Sequence, residues 1–194
     1  RDAFLLVEAS REAGTDAASS DCFARRLKEM YRGWAEKRRM RLKVLEESGG
    51  DKADADTGNS SGGSGGSGGS AGSGLAGAAR YRALLAVSGY AAYTILRPES
   101  GLHVLETPQD EKSFNRAKVL VRVEGQPDEP AGHAPGALLR QAERAVSAAD
   151  EHTPATTVVR SYREEPSPLV RDRLRGWRTG KLERVLGGDF DLIV

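Results

Sequence analysis

From Gly58 to Gly74, 15 of 17 residues are Gly or Ser, and a segment of that composition has almost no side chains with which to build a core. Its Gly-Gly-Ser triplets fit a natural low-complexity insertion or an engineered tether, and either is expected to be disordered. With its shoulders the tract runs from about Ser48 to Ala79. Some 170 residues, roughly, are left for folded structure, enough for one or two modest cores. Hydrophobic residues make up 38% and charged residues 29%, which fits a globular protein. Lys plus Arg number 29 against 28 Asp plus Glu, so the chain is not basic overall in the manner of a histone-like binder. Apolar runs such as Ala3 to Val7 fall far short of the roughly 20 residues of a membrane helix, and no membrane span is expected. One cysteine, Cys22, excludes an internal disulfide and a multi-cysteine zinc site. The histidines, His103, His133 and His152, stand too far apart to suggest a metal site. Because the chain begins at Arg1, it is expected to be a processed product or a fragment.

The spacing of Phe23, Leu27, Met30, Tyr31, Trp34 and Ala35 puts them on one face of a helix, which Asp16 or Ser20 could cap. Strands are expected at Phe4 to Glu8, Arg41 to Glu47, Tyr81 to Val87, Tyr93 to Arg97, Lys118 to Glu124 and Val158 to Tyr162. Gln126 to Pro135, with three prolines, reads as a loop. Gly136 to Ala149 reads as an alanine-rich helix, and Leu182 to Leu186 as a short helix that stops at Gly187-Gly188.

Three stretches together resemble bacterial-type class I peptide chain release factors, and among them the release factor 2 subtype. CFARRLKEMYRGWAEKRRMRLKVLEE is similar to the family's long helix and following strand, with its Met-Tyr and Trp-Ala-Glu in register. SGYAAYTILRPESGLHVLETP is similar to the family's Ser-Gly-x-x-Ala-Tyr and Glu-x-Gly-x-His-x-Leu. VVRSYREEPSPLVRDRLRGWRTGKLERVLGGDFDLIV matches in Arg-Ser-Tyr, Val-x-Asp, Thr-Gly and Val-Leu-x-Gly-Asp-x-Asp. The resemblance implies an α+β fold, an open mixed sheet with one long helix, as in the codon-recognition superdomain. It implies a sheet domain over 1–125 interrupted by the insertion at about 48–79. Residues 126–157 would then be a Pro-rich loop and short helix in place of most of the catalytic domain, and 158–194 a tail returning to the sheet. It also implies that His103 is structural or RNA-facing, and that Asp189 and Asp191 belong to a turn rather than an acid–base pair.

Departures from the family decide what function is expected. Release factors act through Gly-Gly-Gln, whose glycines let the backbone approach the ester and whose amide stabilises an oxyanion. Here no Gly-Gly is followed by Gln, and Glu124-Gly125-Gln126 is the nearest string. The codon-reading Ser-Pro-Phe loop corresponds to Thr107-Pro108-Gln109, where Gln109 removes the aromatic stacking surface. The family's Gly-Ala-Gly-Gly turn is replaced by Ser10-Arg11-Glu12-Ala13-Gly14.

Charge is unevenly distributed. Val158 to Arg184 holds eight basic and four acidic residues, and Asp16 to Glu47 nine basic and six acidic. Arg160, Arg171, Arg173, Arg175, Arg178 and Lys181, with Arg38 and Arg39, are the candidate RNA contacts; for both patches the plain alternative is a solvated surface. Trp177 is read as a stacking residue or a buried anchor, and Cys22 as a small packed residue. The expectation is a non-enzymatic release-factor derivative, structural or associated, on a mitochondrial ribosome. Its partners would be ribosomal RNA and ribosomal proteins, with no cofactor, metal or small-molecule substrate. The alternatives are an organellar transcript-stability factor and an accessory subunit of another mitochondrial complex.

Overall fold

The computed structural model describes residues 1–10, 12, 15–49, 80–110, 113–129, 131–152 and 157–191, with the backbone alone at 149–152. The Gly/Ser tract lies outside the described residues, as do Arg11, Ala13 and Gly14 of the segment replacing the family turn. Helix α1 spans Ala17–Lys37, and Asp16 is its N-cap, accepting a bond of 2.9 Å from the Ser19 amide. Phe23, Leu27, Met30, Tyr31 and Trp34 form its buried stripe, as the i, i+3, i+4 spacing requires. At its end the Arg39 amide bonds Glu36 and the Met40 amide bonds Ala35, the pairing that closes a helix through a left-handed residue. Arg39 takes that role at φ 54° without being glycine, at a cost of about 1–2 kcal/mol.

The other elements are β1 (Ala3–Ala9), β2 (Arg41–Ser48), β3 (Arg82–Ser88), α2 (Ala92–Leu96), β4 (Gly101–Asp110), β5 (Ser113–Gly125), α3 (Ala137–His152), β6 (Val158–Arg163), β7 (Leu169–Asp172), β8 (Arg178–Thr179) and α4 (Leu182–Leu186). Among the described residues the strands make one sheet in the order β2-β3-β1-β5-β4-β6-β7-β8. All neighbours are antiparallel except β4 and β6. The architecture is thus an α+β open mixed sheet with one long helix.

Side-chain alternation assigns the two faces. Leu5 and Val7 of β1, Ala83 and Leu85 of β3, and Val119 and Val121 of β5 meet the stripe of α1 in the main core. Phe4, Leu6, Leu84 and Ala86 point the other way and meet Ala142 and Val146 of α3 in a second core. β1 and β3 are therefore apolar in nearly every position, because helices cover both their sides. α3 packs on β5, β1, β2 and β3.

The expected strand at Tyr93 to Arg97 is instead α2. Ala92 and Leu96, four apart, are both fully buried, and Ala91 enters with φ 56°, so burial at helical spacing overrides the β-propensity of Tyr93 and Ile95. β4, on which no strand was expected, supplies His103 and Leu105 to the interior.

Leu42 to Glu47 pairs with Ala83 to Val87 across the tract, with Leu42 opposite Val87 and Val44 opposite Leu85. Closing cost grows only logarithmically with loop length. Deleting 58–74, which roughly halves the connection, is expected to raise stability by no more than about 0.6 kcal/mol. Urea denaturation of the shortened chain checks this; loss of folding would give the tract a structural role.

Candidate nucleic-acid interface

Arg160 sits on β6 with the same parity as Tyr162, so both side chains enter the main core. Its guanidinium is fully buried and bonds Asp172 at 2.8 Å and Glu99 at 2.7 Å. It also lies over the Trp177 and Phe190 rings, at 5.2 and 5.3 Å. Arg175, a quarter exposed, reaches the same two carboxylates at 2.6 and 3.4 Å and bonds the Ile95 carbonyl. Burial alone would raise the Glu99 carboxyl, yet the charges of Arg160 and Arg175 outweigh it and hold the group below the usual range. At Asp172 burial also raises, and the Arg175 amide and the Arg160 guanidinium overcome it. His103 completes the cluster, with Nδ1 3.1 Å from the Tyr162 hydroxyl and Nε2 3.0 Å from the Glu99 carbonyl. Burial pushes its pKa down to about 4, so it is neutral at physiological pH.

The cluster corrects several sequence expectations. Arg160 has no surface to offer a phosphate, and Arg175 is engaged inside the protein, because two buried carboxylates demand cations. Arg38 is held by Asp191 at 2.6 and 3.0 Å. Arg171, Arg173, Arg178, Lys181 and Arg39 are exposed. Trp177 is half-buried against the main core, the anchoring alternative rather than the stacking one. His103 is internal. Cys22 is exposed, not packed, since it falls beside the buried stripe of α1.

Asp189 bonds Lys37 and Arg184, and Asp191 accepts from the Trp34 indole and Arg38, so both carboxylates tie the tail to α1. Thr107, Pro108 and Gln109 belong to β4 rather than to a loop, with Thr107 opposite Asn115 and Pro108 opposite Phe114. The pairing of β4 with β5 continues past the position where a loop was expected. Gln126 is engaged too, its amide bonding Asp2 and its side chain the Ala3 carbonyl.

The exposed cations have a pattern that the linear sequence hides. Register places Lys118, Val104, Ser161, Arg171 and Arg178 in one row across β5, β4, β6, β7 and β8. A second row, one pleat away, is Arg116, Glu106, Arg163 and Leu169. Both lie on the face opposite Arg160, Tyr162 and Val170. On that face Arg116 pairs with Glu106 at 3.5 Å, Lys118 pairs with Glu12, and Arg163 bonds Ser167. Arg171 and Arg178 make no ion pair among the described residues. Sequence reading missed Arg116 and Lys118, and counted Arg163 in the basic tail without naming it as a contact; the strict alternation of KVLVRV was the signal that could have placed Lys118.

A metal-holding group of three or more His, Cys, Asp or Glu is absent among the described residues, and no described helix is long and apolar enough to cross a membrane.

No curated protein matches the sequence. The structure is similar to RF2 of Thermus thermophilus with a TM-score of 0.62 at 18% identity, over 100% of this chain and 66% of that one. At that identity the likeness establishes the fold. The PCRF domain matches residues 1–116, well over half of the chain, and a domain of this kind supports a function in translation. With the family's domain over 1–116 and its fold over the whole length, the chain belongs to the PCRF-domain family, as a bacterial-type class I release factor-like protein.

Proposed function

We propose that this protein is a release-factor derivative that does not hydrolyse peptidyl-tRNA and serves as a structural or associated protein of a mitochondrial ribosome, held there by ribosomal RNA and ribosomal proteins. The observation that carries this reading is the state of the single Gly-Gln string. Gly125-Gln126 closes β5 with its amide bonded to Asp2 and its side chain to Ala3, so it offers no free amide to an oxyanion. A retained release-factor fold without the hydrolytic loop points to a role in binding. Arg171, Arg173, Arg178 and Lys181, exposed on the tail, are suited to phosphate contact. The degenerate codon-reading and hydrolytic motifs support an organellar setting over that of a general termination factor.

Added to stalled termination complexes, the purified protein is expected to release no peptide above the buffer background. Release that disappears on Gln126→Ala would overturn the non-hydrolytic reading. Sedimentation of native extracts tests the placement: co-migration with ribosomal particles supports it. Free RNA-bound particles would favour a transcript factor, and a membrane complex an accessory subunit.

A further inference from the structure

The outer face of β4 to β8 carries an aromatic among its cations. Phe114 is 44% exposed, whereas Ala117, Val119, Val121 and Val123 of β5 turn inward and Leu120, which shares the parity of Phe114, is half-buried. Phe114 stands in file with Arg116 and Lys118, so steps of about 6–7 Å separate the three along the strand. From Lys118 to Arg178 the row crosses four strand spacings, roughly 19 Å. α3 reaches β5 and, beyond it, β1, β2 and β3, while Arg116, Arg171 and Arg178 stand open. Five cations occupy this surface; Glu106 lies between Arg116 and Arg163, and Glu12 pairs with Lys118.

We propose that this face is a platform for unpaired RNA, with a base stacked on Phe114 and the backbone running over Arg116, Arg163, Arg171 and Arg178. The proposal deepens the ribosomal reading and rests on it for its setting. Three observations favour unpaired RNA over an acidic protein or a duplex. An exposed Phe ring amid arginines offers a π-face that any unstacked base can use, whereas an acidic peptide has no need of it and a paired base cannot reach it. Arginine supplies four of the five cations, and its planar fork suits phosphate oxygens. The surface is a pleated sheet over which a flexible strand can lie without entering a groove.

The full chain is titrated with a labelled unpaired RNA of about a dozen nucleotides, and with a duplex of equal length, at several salt concentrations. Tighter binding to the unpaired strand is expected. Phe114→Ala should weaken that binding by roughly 5- to 150-fold, the range for losing one stacked base. Arg171→Ala with Arg178→Ala should lower the salt slope by about 1.4, from two lost phosphate contacts at about 0.7 each. Arg32→Ala, on α1 and away from this face, should bind as the wild type does. Circular dichroism melting of the variants controls for folding, and since all these side chains are exposed no change is expected. The proposal fails if the wild type does not bind unpaired RNA. It also fails if the Phe114 and Arg171/Arg178 variants bind normally, or if polyglutamate is bound in place of RNA. Because the probe is naked RNA, such a failure leaves ribosome co-migration untouched. Lost co-migration with RNA binding intact would remove the ribosomal placement alone.

Discussion

Arg160→Ala is expected to destabilise the protein by about 3–5 kcal/mol, the usual cost of leaving buried charges without their partner. Glu99 and Asp172 are both fully buried and both bond Arg160. Arg175 would stay 2.6 Å from Glu99, but it is more distant from Asp172, at 3.4 Å, and partly solvated. Removal of the guanidinium also leaves space between the Trp177 and Phe190 rings. The measurement is the urea midpoint at unchanged slope. Adding Glu99→Gln and Asp172→Asn to the same chain should recover part of the loss, because the cost lies mainly in the orphaned carboxylates and neighbouring substitutions do not add. A loss below about 1 kcal/mol, as for an exposed cation, would place Arg160 at the surface and return it to the candidate RNA contacts.

Why Arg160 resembles a surface residue in the sequence follows from where its partners are. Asp172 and Glu99 lie 12 and 61 residues away, and no local spacing announces them. A trace was present in the alternation: Arg160 shares parity with Tyr162, and Asp172 with Val170. Once the apolar members turn inward, the charged ones must follow and meet. The stripe of α1, its Asp16 cap and the stop of α4 at Gly187-Gly188 were legible because they depend on neighbours within a few residues. α2 was not, because burial of Ala92 and Leu96 at the sheet end overrode local preference. The first four residues of β5, Ser113 to Arg116, were hidden for a related reason. Phe114 is their one apolar residue, too little to show alternation, and pairing with β4 makes them a strand. The outer-face rows needed strand order as well as alternation, since Lys118 and Arg178 fall in one row only when the three strands β4, β6 and β7 are placed between them.

Trp34→Ala is expected to cost about 3–5 kcal/mol, the range for truncating a buried Trp, and to loosen the tail together with the core. Trp34 is fully buried, the largest such side chain. Its ring stacks on Phe190 with centroids 5.8 Å apart, and its indole N–H donates to Asp191 at 3.0 Å. Phe190 in turn meets Tyr31 edge-on at 5.7 Å, so one side chain joins α1 to the segment after α4. The approach is close. At Gly188, with φ 100°, an added Cβ would run into the Trp34 backbone nitrogen and lie 2.7 Å from the Gly33 carbonyl carbon, which explains a glycine there. For a chain of this size the loss corresponds to a melting point lower by about 10 °C. Trp34→Phe should restore most of it, leaving a deficit of about 1 kcal/mol or somewhat more from the missing bond to Asp191. Limited proteolysis provides a second readout: cleavage between Arg178 and Arg184 should speed up in Trp34→Ala and much less in Trp34→Phe. If Trp34→Ala melts within about 3 °C of the wild type and its tail is no more readily cut, the contact with Phe190 and Asp191 does not hold the C-terminal segment on α1.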